Sequence, residues 1–72
     1  LLSLYPNPAD RFLKIDSNKA GQISIHNSQG QLVDLFSIQE PIILDLKKYK
    51  AGIYIVTLES SAGLQKQKLI IQ

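Results

Sequence analysis

The chain has 72 residues and no cysteine. That is room for one domain with a thin core, since a fold of this size hides roughly 60–65% of the surface its unfolded chain exposes. It excludes disulfides, thiolate metal sites and a cysteine nucleophile. Eight basic residues against six acidic ones leave a net charge of +2, too small an excess for the basic stripe that nucleic-acid binders carry. The densest basic group, Lys47, Lys48 and Lys50, lies beside Asp45 and reads as a solvated turn.

Ten isoleucines and eleven leucines dominate the apolar residues. Isoleucine is stiff at its first side-chain torsion and packs well on a pleated surface, so the composition leans toward strands. No apolar run reaches the roughly 18 residues of a membrane span. No charged, then apolar, then small-residue leader stands at the N-terminus; if this domain leaves the cell, its export signal is expected elsewhere in a longer protein.

In chain order, Leu1 to Tyr5 is a short apolar segment, broken by Pro6-Asn7-Pro8-Ala9-Asp10. Arg11 to Asp16 alternates, with Leu13 and Ile15 on one face. Ser17 to Gly21 is a loop. Gln22 to His26 alternates again, with Ile23 and Ile25 inward and Gln22, Ser24 and His26 outward. Asn27-Ser28-Gln29-Gly30 is a hairpin turn, in which asparagine caps and Gly30 takes a positive φ without a Cβ clash. Gln31 to Phe36 resumes as a strand, its alternation blurred by Leu32-Val33 and Leu35-Phe36. Pro41 suits an edge or strand start, after which Ile42, Leu44 and Leu46 recur at period two. Lys47 to Gly52 is a polar turn. Ile53 to Glu59 is the most regular strand, with Tyr54, Val56 and Leu58 facing one way and Ile53, Ile55 and Thr57 the other. Ser60 to Gly63 turns the chain, and Leu64 to Gln72 ends it as a last strand.

Six or seven strands at this spacing predict an all-β fold, mostly antiparallel. Alternation implies one wet and one buried face per strand, and two sheets packed together bury both apolar faces. The expected architecture is a small immunoglobulin-like β-sandwich of about seven strands, with a small closed barrel as the alternative. Residues 1–72 read as a single domain.

No catalytic constellation emerges. His26, the only histidine, falls on an outward strand position, with nothing to gather the serine and carboxylate of a triad. Asp10, Asp16, Asp34, Glu40, Asp45 and Glu59 are scattered singly, without the paired carboxylates of glycoside hydrolysis. Gly21, Gly30, Gly52 and Gly63 are isolated, each where a turn is wanted. Asp16-Ser17-Asn18 is a faint calcium candidate that a turn explains fully. Tyr54 is expected in the core with its hydroxyl on a backbone partner. Only Tyr5, Phe12 and Tyr49 are candidates for exposed aromatics, and they are not grouped in sequence. Catalytic residues, metal ligands and cofactors are all expected to be absent.

Two stretches fit no catalytic template: Tyr5-Pro6-Asn7-Pro8-Ala9 and Ala51-Gly52-Ile53-Tyr54-Ile55-Val56. The prolines fix φ at two positions, and Asn7, preceding a proline, is pushed toward an extended conformation. Both stretches are therefore expected to specify corners of the fold. With the Asn-x-x-Gly turn at Gly30, the Leu44-Asp45-Leu46 strand and the closing Lys68-Leu69-Ile70-Ile71, the chain resembles, over essentially its whole length, the type A C-terminal sorting domain of the type IX (Por) secretion system of Bacteroidetes.

The resemblance implies a non-catalytic sorting signal behind an N-terminal cargo domain. The cargo reaches the periplasm by its own signal, crosses the outer membrane, and loses the domain to a sortase-like peptidase. It ends at the cell surface or outside the cell. The implied recognition and fold residues are Tyr5, Pro6, Asn7, Pro8, Gly30, Gly52, Tyr54, Lys68, Leu69, Ile70 and Ile71. The implied partners are the secretion machinery and the peptidase, with no nucleic acid and no membrane insertion. An apolar last strand at a sheet edge also offers pairing to a partner strand. Starting at Leu1 with neither cargo nor linker, the chain reads as an excised domain with its cleavage site upstream of or near Leu1. The rival readings are a ligand- or glycan-binding sandwich and a structural spacer of a surface protein. The cargo, the face that is read, the fate of the cargo and the oligomeric state stay open.

Overall fold

The computed structural model describes all residues, 1–72, and contains seven strands and no helix. They are β1 (Leu2–Tyr5), β2 (Phe12–Ser17), β3 (Gly21–Asn27), β4 (Leu32–Ile38), β5 (Ile42–Asp45), β6 (Gly52–Ser60) and β7 (Gly63–Ile71). Every strand pairing is antiparallel. One sheet has the order β1-β2-β5 and the other β4-β3-β6-β7. In immunoglobulin lettering these are A-B-E and C′-C-F-G: the fourth strand stays beside the third instead of crossing to the facing sheet. The expected sandwich is present, and the barrel is not.

The alternation read from sequence becomes the core. Leu2, Leu4, Leu13 and Ile15 point inward from the three-stranded sheet. Ile23, Ile25, Ile38, Tyr54, Val56, Leu58, Leu69 and Ile71 point inward from the other. Together with Ala9, Leu46 and Tyr49 they form one cluster of 15 buried residues, against which Phe36, Ile42 and Leu44 pack. No polar residue is buried.

Two local features explain where the alternation blurred. Ile25 pairs with Asp34 but His26 pairs with Leu32, so Val33 has no partner and forms a bulge. A bulge turns two successive residues to the same side, and Leu32 and Val33 are both exposed. The same bulge leaves Asp34 on the inward side in register with Phe36 and Ile38.

The corner between β5 and β6 answers that carboxylate. Tyr49 is buried and donates its hydroxyl to Asp34 Oδ2 at 2.8 Å, and Lys48 Nζ lies 3.3 Å from the same oxygen. Tyr49, one of the three candidates for an exposed aromatic, is thus buried, and its ring caps the core beside Tyr54 in an edge-on contact at 5.6 Å. Tyr54 opens β6 as expected, buried, with its hydroxyl donating to the Lys50 carbonyl at 2.6 Å. This is the hydrogen bond of a tyrosine corner, the device that fixes the E–F turn in immunoglobulin-like sandwiches.

Gly21 is more than a turn residue. It opens β3 opposite Ser60, and a Cβ there would collide with the Glu59 carbonyl oxygen and come within 2.9 Å of Leu58 Cδ1. Here glycine serves close packing of β3 on β6.

Candidate functional site

The register sorts the connections to two poles of a body measuring 31 × 22 × 16 Å. Leu2 pairs with Ser17, Gly21 with both Ile38 and Ser60, and Ser60 with Gly63. Leu1, the Asn18–Ala20 loop, the Gln39–Pro41 link and the Ser61-Ala62 turn therefore share one pole. Tyr5 pairs with Lys14, Phe12 with Asp45, Asn27 with Tyr54, and Gly52 with Ile71. The segment Pro6–Arg11, the Asn27–Gly30 turn, the Leu46–Ala51 corner and Gln72 therefore share the other. The two distinctive sequence motifs, far apart in the chain, meet at this second pole.

The first of them is joined there to the end of β7 by a clasp. After Tyr5 the chain leaves the three-stranded sheet through two cis peptide bonds, Tyr5-Pro6 and Asn7-Pro8, and reaches the free edge of β7. Asn7 Nδ2 donates to the Lys68 carbonyl at 2.8 Å, and the Ile70 N–H donates to Asn7 Oδ1 at 3.1 Å. Ala9 then takes over with its own backbone: its N–H donates to the Ile70 carbonyl and its carbonyl accepts from the Gln72 N–H, each at 2.8 Å. Ala9 and Ile71 form a parallel bridge. Ala9 is wholly buried, so the small side chain lets the segment close onto the core.

The same segment is tied at its other end. The Leu2 N–H donates to Gln65 Oε1 at 2.7 Å, and Gln67 Nε2 donates to the Leu2 carbonyl. Residues 2–9 thus run alongside β7 in the same direction, held first by glutamine side chains, then by an asparagine side chain, then by backbone. Gln65 and Gln67 were not singled out in the sequence, and Ala9 only as the last residue of the Tyr5–Ala9 motif. A polar alternation in β7 ending in buried Leu69 and Ile71 is the only local trace of the glutamines.

The site residues expected from sequence fall into three groups. Tyr5, Pro6, Asn7 and Pro8 are exposed at the clasp, with Lys68 exposed and Ile70 half-buried against it. Leu69 and Ile71 lie in the core beside it, with buried Tyr54 and exposed Gly52 opposite them on β6. Tyr54 pairs with Leu69 and Gly52 with Ile71, and Leu69 and Ile71 are core residues with almost no exposed surface. Gly30 lies in the adjoining turn at φ +82°, where Asn27 Oδ1 accepts from the Gln29 and Gln31 N–H groups. The sequence also offered the last strand for pairing with a partner strand; from the Lys68 carbonyl to Gln72 that edge is occupied by the clasp.

Electrostatically the site is quiet apart from the corner beside it. The Tyr49 hydrogen bond, assisted by Lys48 and the Leu35 N–H, holds the Asp34 carboxyl below the ordinary aspartate range against a smaller opposing effect of burial. Burial first, then the Asp34 carboxylate, pushes the Tyr49 hydroxyl well above the ordinary tyrosine range. No three histidine, cysteine, aspartate or glutamate residues come close enough to share a metal ion.

The structure is an immunoglobulin-like module with a clasp at one pole. In comparison with known families, the family described as the secretion system C-terminal sorting domain matches residues 3–72, and the chain belongs to it. It is a type IX secretion sorting domain, of a family of sorting tails carried by cargo proteins bound for the cell surface or the extracellular space. No match was found among curated proteins.

Proposed function

We propose that residues 1–72 form a sorting domain that follows an N-terminal cargo and is read, folded, by the outer-membrane stage of type IX secretion. The cargo arrives in the periplasm by a separate signal. A sortase-like peptidase then cuts ahead of the domain, and the cargo is released or anchored. The observation that supports this reading is the coincidence of the family match with a single sandwich in which the Tyr5–Ala9 motif and the closing Lys68–Ile71 run are joined in one clasp. Such convergence makes recognition depend on the folded surface: Asn7, Pro8, Lys68 and Ile70 lie side by side only once β7 has docked.

The test is an export assay. The 72 residues are fused, through a short linker, behind a periplasm-targeted fluorescent protein in a bacterium with a working type IX system. Fluorescence at the surface or in the medium, lost in a secretion mutant, is the expected result. Fluorescence retained in the periplasm with the domain folded and intact overturns the reading.

A further inference from the structure

The clasp covers only part of the β7 edge. In an antiparallel pair, alternate residues bond to the partner strand and the others point their N–H and C=O away from it. The Lys68 carbonyl and Ile70 N–H meet Asn7, so the even-numbered residues of β7 face outward. Leu64 and Lys66 follow the same alternation, and no backbone or side-chain group bonds their outward N–H and C=O. The outward N–H of Lys68 is likewise free. This leaves one stretch of unpaired ladder, from Leu64 to the Lys68 N–H, ending where Asn7 begins.

The other sheet edges are shorter or blunted. β1 and β5 have four residues each. β4 is bulged at Val33, and its Leu35 N–H is taken by Asp34 Oδ1 at 3.0 Å. The β7 stretch is therefore the best-formed open edge in the molecule.

Its side chains say what fits. Lys66 and Lys68 are exposed, and their neighbours across β6 are Thr57 and Ile55. Neither lysine is in an ion pair, the chain's single salt bridge being Lys48–Asp34. A second copy pairing over the whole stretch sets Lys66 opposite its own counterpart, and like charges directly opposite are unfavourable. Edge lysines of this kind reject self-association, and the same charges favour a strand with carboxylates at alternate positions.

We propose that the Leu64–Lys68 edge of β7 is a docking site for an extended acidic strand of a partner protein, which adds to the four-stranded sheet up to the stop set by Asn7. The inference deepens the sorting reading, on which it rests only for the origin of that strand in the secretion machinery.

The test uses the 72-residue chain and short synthetic peptides alternating glutamate with valine, or lysine with valine, followed by backbone amide NMR and hydrogen exchange. The acidic peptide is expected to protect the Leu64, Lys66 and Lys68 amides and the basic one not. Lys66→Pro removes an outward N–H that no bond within the sheet uses, so it should abolish binding while the sheet persists. The K66E/K68E double variant should bind the acidic peptide about tenfold more weakly and prefer the basic one. It carries the test should the proline variant unfold. Protection elsewhere, indifference to charge reversal, or protection that grows with domain concentration alone, meaning a second copy, overturns the proposal. In the export assay, normal export of folded K66E/K68E alongside the wild type overturns the docking site and leaves the sorting role standing. Failure of the wild type overturns the sorting role and leaves peptide binding to be judged by itself.

Discussion

Asn7 and Ile70, 63 residues apart in the chain, are joined as neighbouring strands are, with the asparagine amide group in place of a peptide unit. Asn7 Oδ1 accepts where a strand carbonyl would, and Asn7 Nδ2 donates to Lys68 where a strand N–H would. No other side chain of this length offers both functions on one planar group.

Asn7→Ala removes both bonds at an exposed site where water can replace them. The expected cost is about 1 kcal/mol, or about 4–8 °C in Tm. The loss should be local first, with faster amide exchange at Ile70 and Gln72 before the β3 and β6 amides change. Asn7→Asp keeps the acceptor but loses the donor and faces the Lys68 carbonyl with a negative charge. It should rescue nothing, and urea unfolding of the two variants checks this.

Gly21→Ala should be much worse than Gly30→Ala. The first drives a methyl group into the β6 backbone, and relieving it means shifting β3 from β6, at about 1–3 kcal/mol or more. The second meets no atom within 4 Å and bears only the strain of its φ of +82°, about 1–2 kcal/mol. Denaturant midpoints of the pair decide between a packing role and a turn role for Gly21.

Tyr49→Phe keeps the ring against Tyr54 and deletes the hydroxyl that meets Asp34. The expected loss is about 1–2 kcal/mol, because the acceptor is charged but retains Lys48 and the Leu35 N–H. The Asp34 carboxyl should then titrate closer to the ordinary aspartate value. Carboxyl carbon shifts followed through an acid titration measure it.

The same pair shapes the response to pH. Asp34 is held below the ordinary value in the fold, so its contribution is present above the unfolded pKa, about 3.9, and is lost as pH falls through the lower folded value. Tyr49 is held above its ordinary value, so its contribution is present below about pH 10 and is lost as pH rises through the folded value. Thermal unfolding against pH should decline at both ends, and Tyr49→Phe should flatten both declines.

Lys68→Ala and Leu69→Ala should separate recognition from folding. Lys68 is exposed and its carbonyl, not its side chain, holds Asn7, so its replacement should change stability by no more than about 0.5 kcal/mol. Leu69 is fully buried, and its truncation should cost about 2–5 kcal/mol. Deleting Lys68–Gln72 removes Leu69, Ile71 and every partner of the clasp together, so export lost on that deletion reports unfolding. An export defect in folded Lys68→Ala reports reading of the surface.

The seven strands were legible because burial on one face writes a period of two into Leu13-Ile15, Ile23-Ile25 and Tyr54-Val56-Leu58. Gly30 and the Tyr54 hydroxyl bond were legible because a turn and a corner are local. The burial of Tyr49 was not legible because it answers Asp34, a partner 15 residues away on β4 to which nothing around Tyr49 points. Gly21 looked like a turn glycine because its close neighbour, the Glu59 carbonyl, lies on another strand. The motif at Tyr5–Ala9 was noticed for its prolines. Its work is done by Asn7 and Ala9, whose partners lie at the far end of the chain where no local pattern points.

Leu1 and the clasp stand at opposite poles. Any protein joined ahead of Leu1 departs from the far end of a body 31 Å long and does not have to pass the clasp. Its bulk, shape and charge therefore impose little on the surface where Asn7, Pro8, Lys68 and Ile70 gather. A tail built in this way should be interchangeable: moved from one passenger to an unrelated one, it is expected to work without being redesigned to fit it.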